Sequence, residues 1–314
     1  MLKSAIALAM MFSLLGCSNL NSVTRLIGQD AVVNQQTGKD GETRFHNLYK
    51  DPTYPYTCEK DCYAPREEIQ CVEPMENCQF VASQTKPNLN TGFDILWMGH
   101  ASFRITTASG EVVLFDPVFA QFDWPVDWGF EWKMGFNRNP PSPLSQQERQ
   151  DVDVIMYSHI HYDHFNKDDI ATLGTHPDYL VPLGFAEHFA NQGFRISEMA
   201  WYDSIQIQNL KIDFVPGHHF SSRIWVPYFY EDRNKTLWGG WLLEHEGKKL
   251  FFAGDTGYSK HFKDIHEKYG DIDVCLLPIA SYFNPKSSSW YRYVHTTPED
   301  ALAAANDLNC KVMI

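Results

Sequence analysis

Ser158-His159-Ile160-His161-Tyr162-Asp163-His164 sets three imidazoles and a carboxylate within six positions, directly after the apolar run Val152 to Tyr157. A short apolar run that delivers the chain to a polar cluster reads as a buried strand ending at a site. Neutral imidazole and carboxylate suit zinc and its first-row neighbours. On an extended segment His159 and His161 face one side and can share an ion, while Asp163 and His164 follow a bend and can reach a second. Chance assembly of such a pattern is rare, on the order of one chain in a thousand.

Working outward, the same texture repeats. Phe93 to Met98 and Ser102 to Thr107 read as strands, with Ser109-Gly110 turning the chain into Glu111 to Phe115. A helix opens at Asn166 or Lys167 and runs through Ile170 and Leu173. Lys211 to Val215 is a strand ending at Pro216-Gly217, and Leu237 to Glu244 pairs across Gly247 with Lys249 to Ala253. Val274 to Ile279 is a further apolar strand. Thr297 as N-cap with Pro298 behind it starts a helix through Leu308, and Cys310 to Ile314 begins one more strand. The pattern is α/β, with polar candidate ligands just past strand ends.

His-x-His-x-Asp-His resembles the signature of the metallo-β-lactamase superfamily, and other segments follow in order. Phe251 to Tyr258 resembles the element whose Asp, here Asp255, bridges two metals; Val215 to Arg223 resembles the element carrying the third histidine of the first metal. His219 aligns with that ligand and His218 with the neighbouring Gln position. Trp97-Met98-Gly99-His100-Ala101, Phe115-Asp116-Pro117, Arg138-Asn139-Pro140-Pro141, Trp238-Gly239-Gly240-Trp241 and Val294 to Glu299 look like the N-acyl-phosphatidylethanolamine phospholipase D branch. The resemblance covers roughly residues 90 to 314. It implies a four-layer αββα sandwich and two divalent cations, of the zinc type, held by His159, His161, Asp163, His164, His219 and Asp255. Asp163, Asp255 and His295 carry the catalytic roles by the same resemblance, although a structural place for His295 at a helix start is an equal reading. His100 and Asp116 would orient ligands by hydrogen bonds.

Three departures accompany the likeness. The segment Ile224 to Arg233, with Trp225, Tyr228, Phe229 and Tyr230, is longer than the phospholipase pattern, and so is Pro285 to Trp290. Both are expected to border the site, the aromatic stretch contacting either lipid or the N-terminal cap. The family pattern also places a final histidine after the strand that starts at Lys311, so the 91–314 hydrolase domain is expected to be C-terminally incomplete.

The first residues read differently. Lys3 followed by the apolar run Ala5 to Leu15 is too short for a span and suits a signal peptide, residues 1–16. Leu14-Leu15-Gly16-Cys17 resembles a lipobox, which implies lipidation of Cys17, a membrane anchor and, with Ser18-Asn19 following, an outer-membrane place facing the periplasm. Residues 17–90 read as a tether and Cys-rich extension. Cys58, Cys62, Cys71 and Cys78 suit two disulfides of open connectivity in an oxidising compartment, with a structural zinc site as the rival. Cys275 reads as an inert buried strand residue, and Cys310 has no assigned role.

The 314-residue chain carries a net charge of -13, which argues against nucleic acid as a partner. The sequence does not define an oligomeric state. The expected activity is hydrolysis of an N-acyl-phosphatidylethanolamine-like phospholipid to N-acylethanolamine and phosphatidic acid. A lactonase of the same superfamily and a metal-poor binding lipoprotein are the alternatives.

Overall fold

Alternation of side chains along short apolar strands lets each strand serve two faces, and both faces are covered here. In the computed structural model, residues 20–54, 69–72, 77–80, 91–120, 144–223, 225–226 and 230–314 are described. The first sheet contains β1 (Ser22–Leu26), β6 (Phe93–Gly99), β7 (Ser102–Thr107), β8 (Val112–Phe115), β9 (Val154–Met156), β10 (Asp178–Pro182) and β11 (Arg195–Met199), ordered β1-β11-β10-β9-β8-β7-β6. The second contains β12 (Ser204–Ile207), β13 (Leu210–Pro216), β16 (Gly239–His245), β17 (Lys248–Phe252), β18 (Ile272–Leu276) and β19 (Cys310–Met313), in that order. Three small hairpins stand apart: β2 (Gln35–Thr37) with β3 (Thr43–Phe45), β4 (Ile69–Val72) with β5 (Asn77–Phe80), and β14 (Trp225–Val226) with β15 (Tyr230–Glu231).

Along β8, Val113 and Phe115 point between the sheets while Val112 and Leu114 point away. Between the sheets, Ile105, Val154, Met156 and Leu180 meet Phe214, Trp241, Leu243 and Phe252. Phe115 stacks on Phe252 with ring centroids 4.5 Å apart. Outside the first sheet, Leu114, Ile155 and Tyr179 pack with Ile170 and Leu173 of a helix, Lys167–Leu173. Outside the second, Leu242, Phe251 and Cys275 pack with Phe262 and Ile265 of the helix His261–Tyr269, and with Ala301 and Ala304 of Pro298–Asp307. The order of layers is αββα, as expected. Each large apolar side chain so buried contributes roughly 1.5–3 kcal/mol.

With Gln146–Gln150 as α1, the helices continue as α2 (Lys167–Leu173), α3 (His261–Tyr269), α4 (Ser288–Val294) and α5 (Pro298–Asp307). The side chain of Asn166 accepts from the amides of Asp168 and Asp169 to start α2. The Thr297 hydroxyl and the Asp300 carboxylate exchange bonds with each other's amides at the start of α5, with Pro298 in the first turn. No helix among the described residues is long and apolar enough to cross a membrane.

The N-terminal region corrects one expectation. Residues 22–26 are not a tether: β1 lies parallel to β11 in the first sheet, from Ser22 opposite Arg195 to Leu26 opposite Met199. Arg25 Nε lies 2.6 Å from Glu198 Oε2, Val32 bridges to Trp201, and Phe45 is buried in the core between the sheets. An edge strand with mostly exposed side chains carries no hydrophobic alternation, so backbone pairing holds it without a signal in the sequence. Residues 1–16, Cys17, Cys58, Cys62 and Arg138 to Pro141 lie outside the described residues. Cys71 and Cys78 are register partners in the β4–β5 hairpin. Cys275 is not an inert core thiol, because it forms a disulfide with Cys310 that joins β18 to β19.

Candidate metal centre

The chain places its polar residues just beyond strand ends. Asp116 follows β8, His159 to His164 follow β9, His219 follows β13, Asp255 follows β17, and His295 follows α4. Local contacts draw these segments together. Gly254 has φ +61, and a Cβ there would sit 2.6 Å from Ser158 Cβ, so only glycine lets the Asp255 segment close on the His159 segment. The Thr256 hydroxyl accepts from the His218 amide at 2.8 Å, and the Gly257 amide donates to the His218 carbonyl at 2.8 Å. Those two bonds zip the His219 and Asp255 loops side by side.

Among the described residues, four groups of potential ligands result, each with its donor atoms within 4.8 Å of one another: His159, His161 and His219; His100, Asp163 and His164; Asp116, His159 and His164; and His219, Asp255 and His295. His159 Nε2 is 2.8 Å from His161 Nδ1, which is 3.3 Å from His219 Nε2. Asp255 Oδ2 stands 3.4 Å from both His164 Nε2 and His295 Nε2, between the histidine sets. His100 Nε2 lies 3.0 Å from Asp163 Oδ2. The expected ligands therefore converge. His100, expected behind the ligands, stands within one of the groups, and His295 stands beside Asp255.

The neighbours of these rings orient them. Asp116, buried and at φ +40, takes the Ser158 amide at 2.7 Å on Oδ1 and has Ser158 Oγ at 2.5 Å and His164 Nδ1 at 2.7 Å on Oδ2. His164 Nε2 is buried with no hydrogen-bond partner among the described residues. His219 Nδ1 is 2.9 Å from the Val294 carbonyl, which leaves Nε2 facing the cluster. His218 turns away, its ring 4.4 Å from that of Tyr293. Of the two adjacent histidines, His219 is the one grouped with His159 and His161.

Arg223, at the end of the segment that carries His219, supports the cluster from behind. Its buried Nη1 donates to the carbonyls of Ile160 at 2.9 Å and Phe165 at 2.8 Å, bracketing His161 to His164. Its guanidinium lies 4.2 Å from the Tyr162 ring centre. Nothing local in the sequence marks it, because its role depends on burial against acceptors 58 and 63 positions away. In the Pro285 to Trp290 segment, Trp290 stands one residue removed from the cluster: its ring is 5.5 Å from Phe220, whose ring is 4.6 Å from His161. The side chains of Trp225 and Tyr230, and all of Tyr228 and Phe229, lie outside the described residues.

The electrostatics suit cations. Burial pushes His159 and His219 well below the ordinary imidazole value and His161 down to about 4, so these rings stay neutral, the form that ligates. Burial would lower His164 too, but Asp255 and Asp163 outweigh it and raise that group. An unpartnered buried nitrogen, three neutral imidazoles and nearby carboxylates together fit divalent cations of the zinc type.

The family described as the Beta-lactamase superfamily domain matches residues 111–314. An uncharacterized protein of Mycobacterium tuberculosis is 30% identical over 309 residues, covering 92% of this chain and 76% of that one. The N-acyl-phosphatidylethanolamine-hydrolyzing phospholipase D 1 of Caenorhabditis elegans is 30% identical over 227 residues, 68% of this chain and 60% of the worm protein. Among solved structures, the metallo hydrolase Igni18 of Ignicoccus hospitalis superposes with a TM-score of 0.48 at 19% identity, covering 70% of this chain and 80% of that one. The chain belongs to the metallo-β-lactamase superfamily, as a metal-dependent hydrolase.

Proposed function

We propose that this chain is a zinc-dependent phosphodiesterase that hydrolyses N-acyl-phosphatidylethanolamine-like phospholipids to N-acylethanolamine and phosphatidic acid. The observation that carries the two-cation part of this reading is Asp255 Oδ2, equidistant at 3.4 Å from His164 and His295, with the His159, His161 and His219 set alongside. The substrate class is supported by similarity to the worm phospholipase. His159, His161 and His219 would hold one cation and Asp163 and His164 the other, with Asp255 in reach of both sets. Such cations, when bound, make water nucleophilic near neutral pH and offset charge on phosphoryl oxygens.

The protein's own groups do the rest. Asp163 and Asp255 orient the attacking water, and Asp116 fixes the tautomer of His164. Water oxygen joins phosphorus, the bond from phosphorus to the ethanolamine oxygen breaks, and that oxygen takes up a proton. His295, beside Asp255, contacts the phosphoryl group or the leaving oxygen. Residues 1–16 act as a signal peptide and a lipid on Cys17 anchors the enzyme at the outer membrane, beside its substrate.

The test is product analysis on a panel of N-acylated and plain phospholipids. N-acylated diesters should release phosphatidic acid and N-acylethanolamine. Failure to cleave any diester, with the metal content intact, would reject the substrate class while leaving the metal centre standing.

A further inference from the structure

We propose that Asn47 is a positioning residue for the metal centre, which makes residues 20–54 a working part of the site. This rests on the metal-centre reading above. The matched family region begins at residue 111, so Asn47 lies well outside it.

The Asn47 amide closes a two-bond ring with the backbone of His219. Its Oδ1 accepts from the His219 amide at 3.0 Å, and its Nδ2 donates to the His219 carbonyl at 2.9 Å. The same Oδ1 accepts from Trp238 Nε1 at 3.1 Å, and that nitrogen also donates to the Gly217 carbonyl at 3.1 Å. One side chain thus imitates a strand partner for a ligand that sits past the end of β13, where sheet pairing has run out. Val294 fixes the ring of His219 from one side, and Asn47 fixes its backbone from the other.

Asn47 is itself held. Asn34 Nδ2 donates to the carbonyls of His46 at 3.1 Å and Asn47 at 2.8 Å, and the Phe45 amide donates to the Asn234 carbonyl at 2.8 Å. Further on, the Tyr49 hydroxyl donates to Asp264 of α3, and Arg292 of α4 stacks 4.1 Å over the Tyr54 ring. The segment is thus a strap tied to α3 through Tyr49 and to α4 through Tyr54. Only Asn47, of these contacts, reaches the backbone of a candidate ligand.

A role in docking the strap and a role in placing His219 make different predictions, and cobalt separates them. The whole chain is loaded with Co(II), its visible spectrum recorded and its affinity measured against a competing chelator. Asn47→Ala should loosen cobalt by roughly tenfold or more and alter the spectrum, as expected for loss of an outer-shell partner. Tyr49→Phe, which cuts the same strap from α3, should leave affinity within about twofold. Asn47→Asp keeps the acceptor but not the donor and should fall between; it carries the test if the alanine variant does not fold. Native affinity and spectrum in Asn47→Ala or Asn47→Asp would overturn the proposal, and so would equal loosening by Tyr49→Phe. Absence of cobalt binding by the unaltered chain would overturn the metal-centre reading itself, and this proposal with it.

Discussion

Asp116 and His164 form a sealed pair: Oδ2 and Nδ1 are 2.7 Å apart and neither side chain is exposed to solvent. A carboxylate on one imidazole nitrogen fixes which nitrogen is left to face a cation. Asp116→Asn keeps the volume but weakens that control. Metal affinity should fall by about 10–100-fold, and stability measured in excess chelator should drop by roughly 1–3 kcal/mol. Chelator competition and urea unfolding read the two effects separately. Unaltered affinity would mean that Asp116 does not set the tautomer.

Arg223 ties the carbonyls of Ile160 and Phe165 with one nitrogen, holding both ends of the ligand segment. Arg223→Met strands two buried acceptors, at a cost of about 1–3 kcal/mol each. The melting temperature should therefore fall well beyond the effect of an exposed substitution. Arg223→Lys offers a charge but no planar fork, and should recover only part of the loss. Full recovery by lysine would show that charge alone matters there.

His188 gives a pH signature away from the centre. Burial first, then Arg223 and Lys167, pushes its imidazole down to about 4 from 6.5. The folded group resists a proton that the unfolded group accepts, so its share of stability is complete above about pH 6.5. It drains as the pH falls toward about 4, by on the order of 3 kcal/mol. Unfolding curves across that window should be less steep in pH for His188→Gln than for the native chain. Parallel curves would contradict the assignment.

The disulfide between Cys275 and Cys310 closes a 35-residue separation and staples β19 to its neighbour. In the chain-entropy account, a loop of this size is worth roughly 3–4 kcal/mol. Cys310→Ser should lower the melting temperature under oxidising conditions and reduce its sensitivity to reductant by this bridge's share. A native chain equally stable with and without reductant would argue against the staple.

Much of this was legible in the sequence because the relevant signals are local. The caps at Asn166 and Thr297-Pro298 announced α2 and α5, and turns at Ser109-Gly110 and Gly247 announced their hairpins. The histidine cluster and the Asp255 and His219 segments could be read in order because each ends a recognisable strand. What escaped depends on distant pairing. β1 is an exposed edge held chiefly by pairing with β11, 173 positions away for Arg25 and Glu198. β10 ends in Pro182, and α4 is rich in aromatic residues, so neither shows the expected period or propensity. Cys275 and Cys310 are ordinary residues until two strands are placed side by side. Asn47 has no local mark, because its significance lies wholly in the backbone it meets.

The proposed mechanism depends on a two-cation centre with Asp255 in reach of both sites. Elemental analysis of the full chain, purified without chelator, tests it most directly when Asp255→Ala and His159→Ala are measured beside it. The native protein should carry two equivalents of a zinc-class metal, His159→Ala should lose metal from the first site, and Asp255→Ala should disrupt both sites. A native chain that retains no metal, or an Asp255→Ala chain that keeps two equivalents, would contradict it.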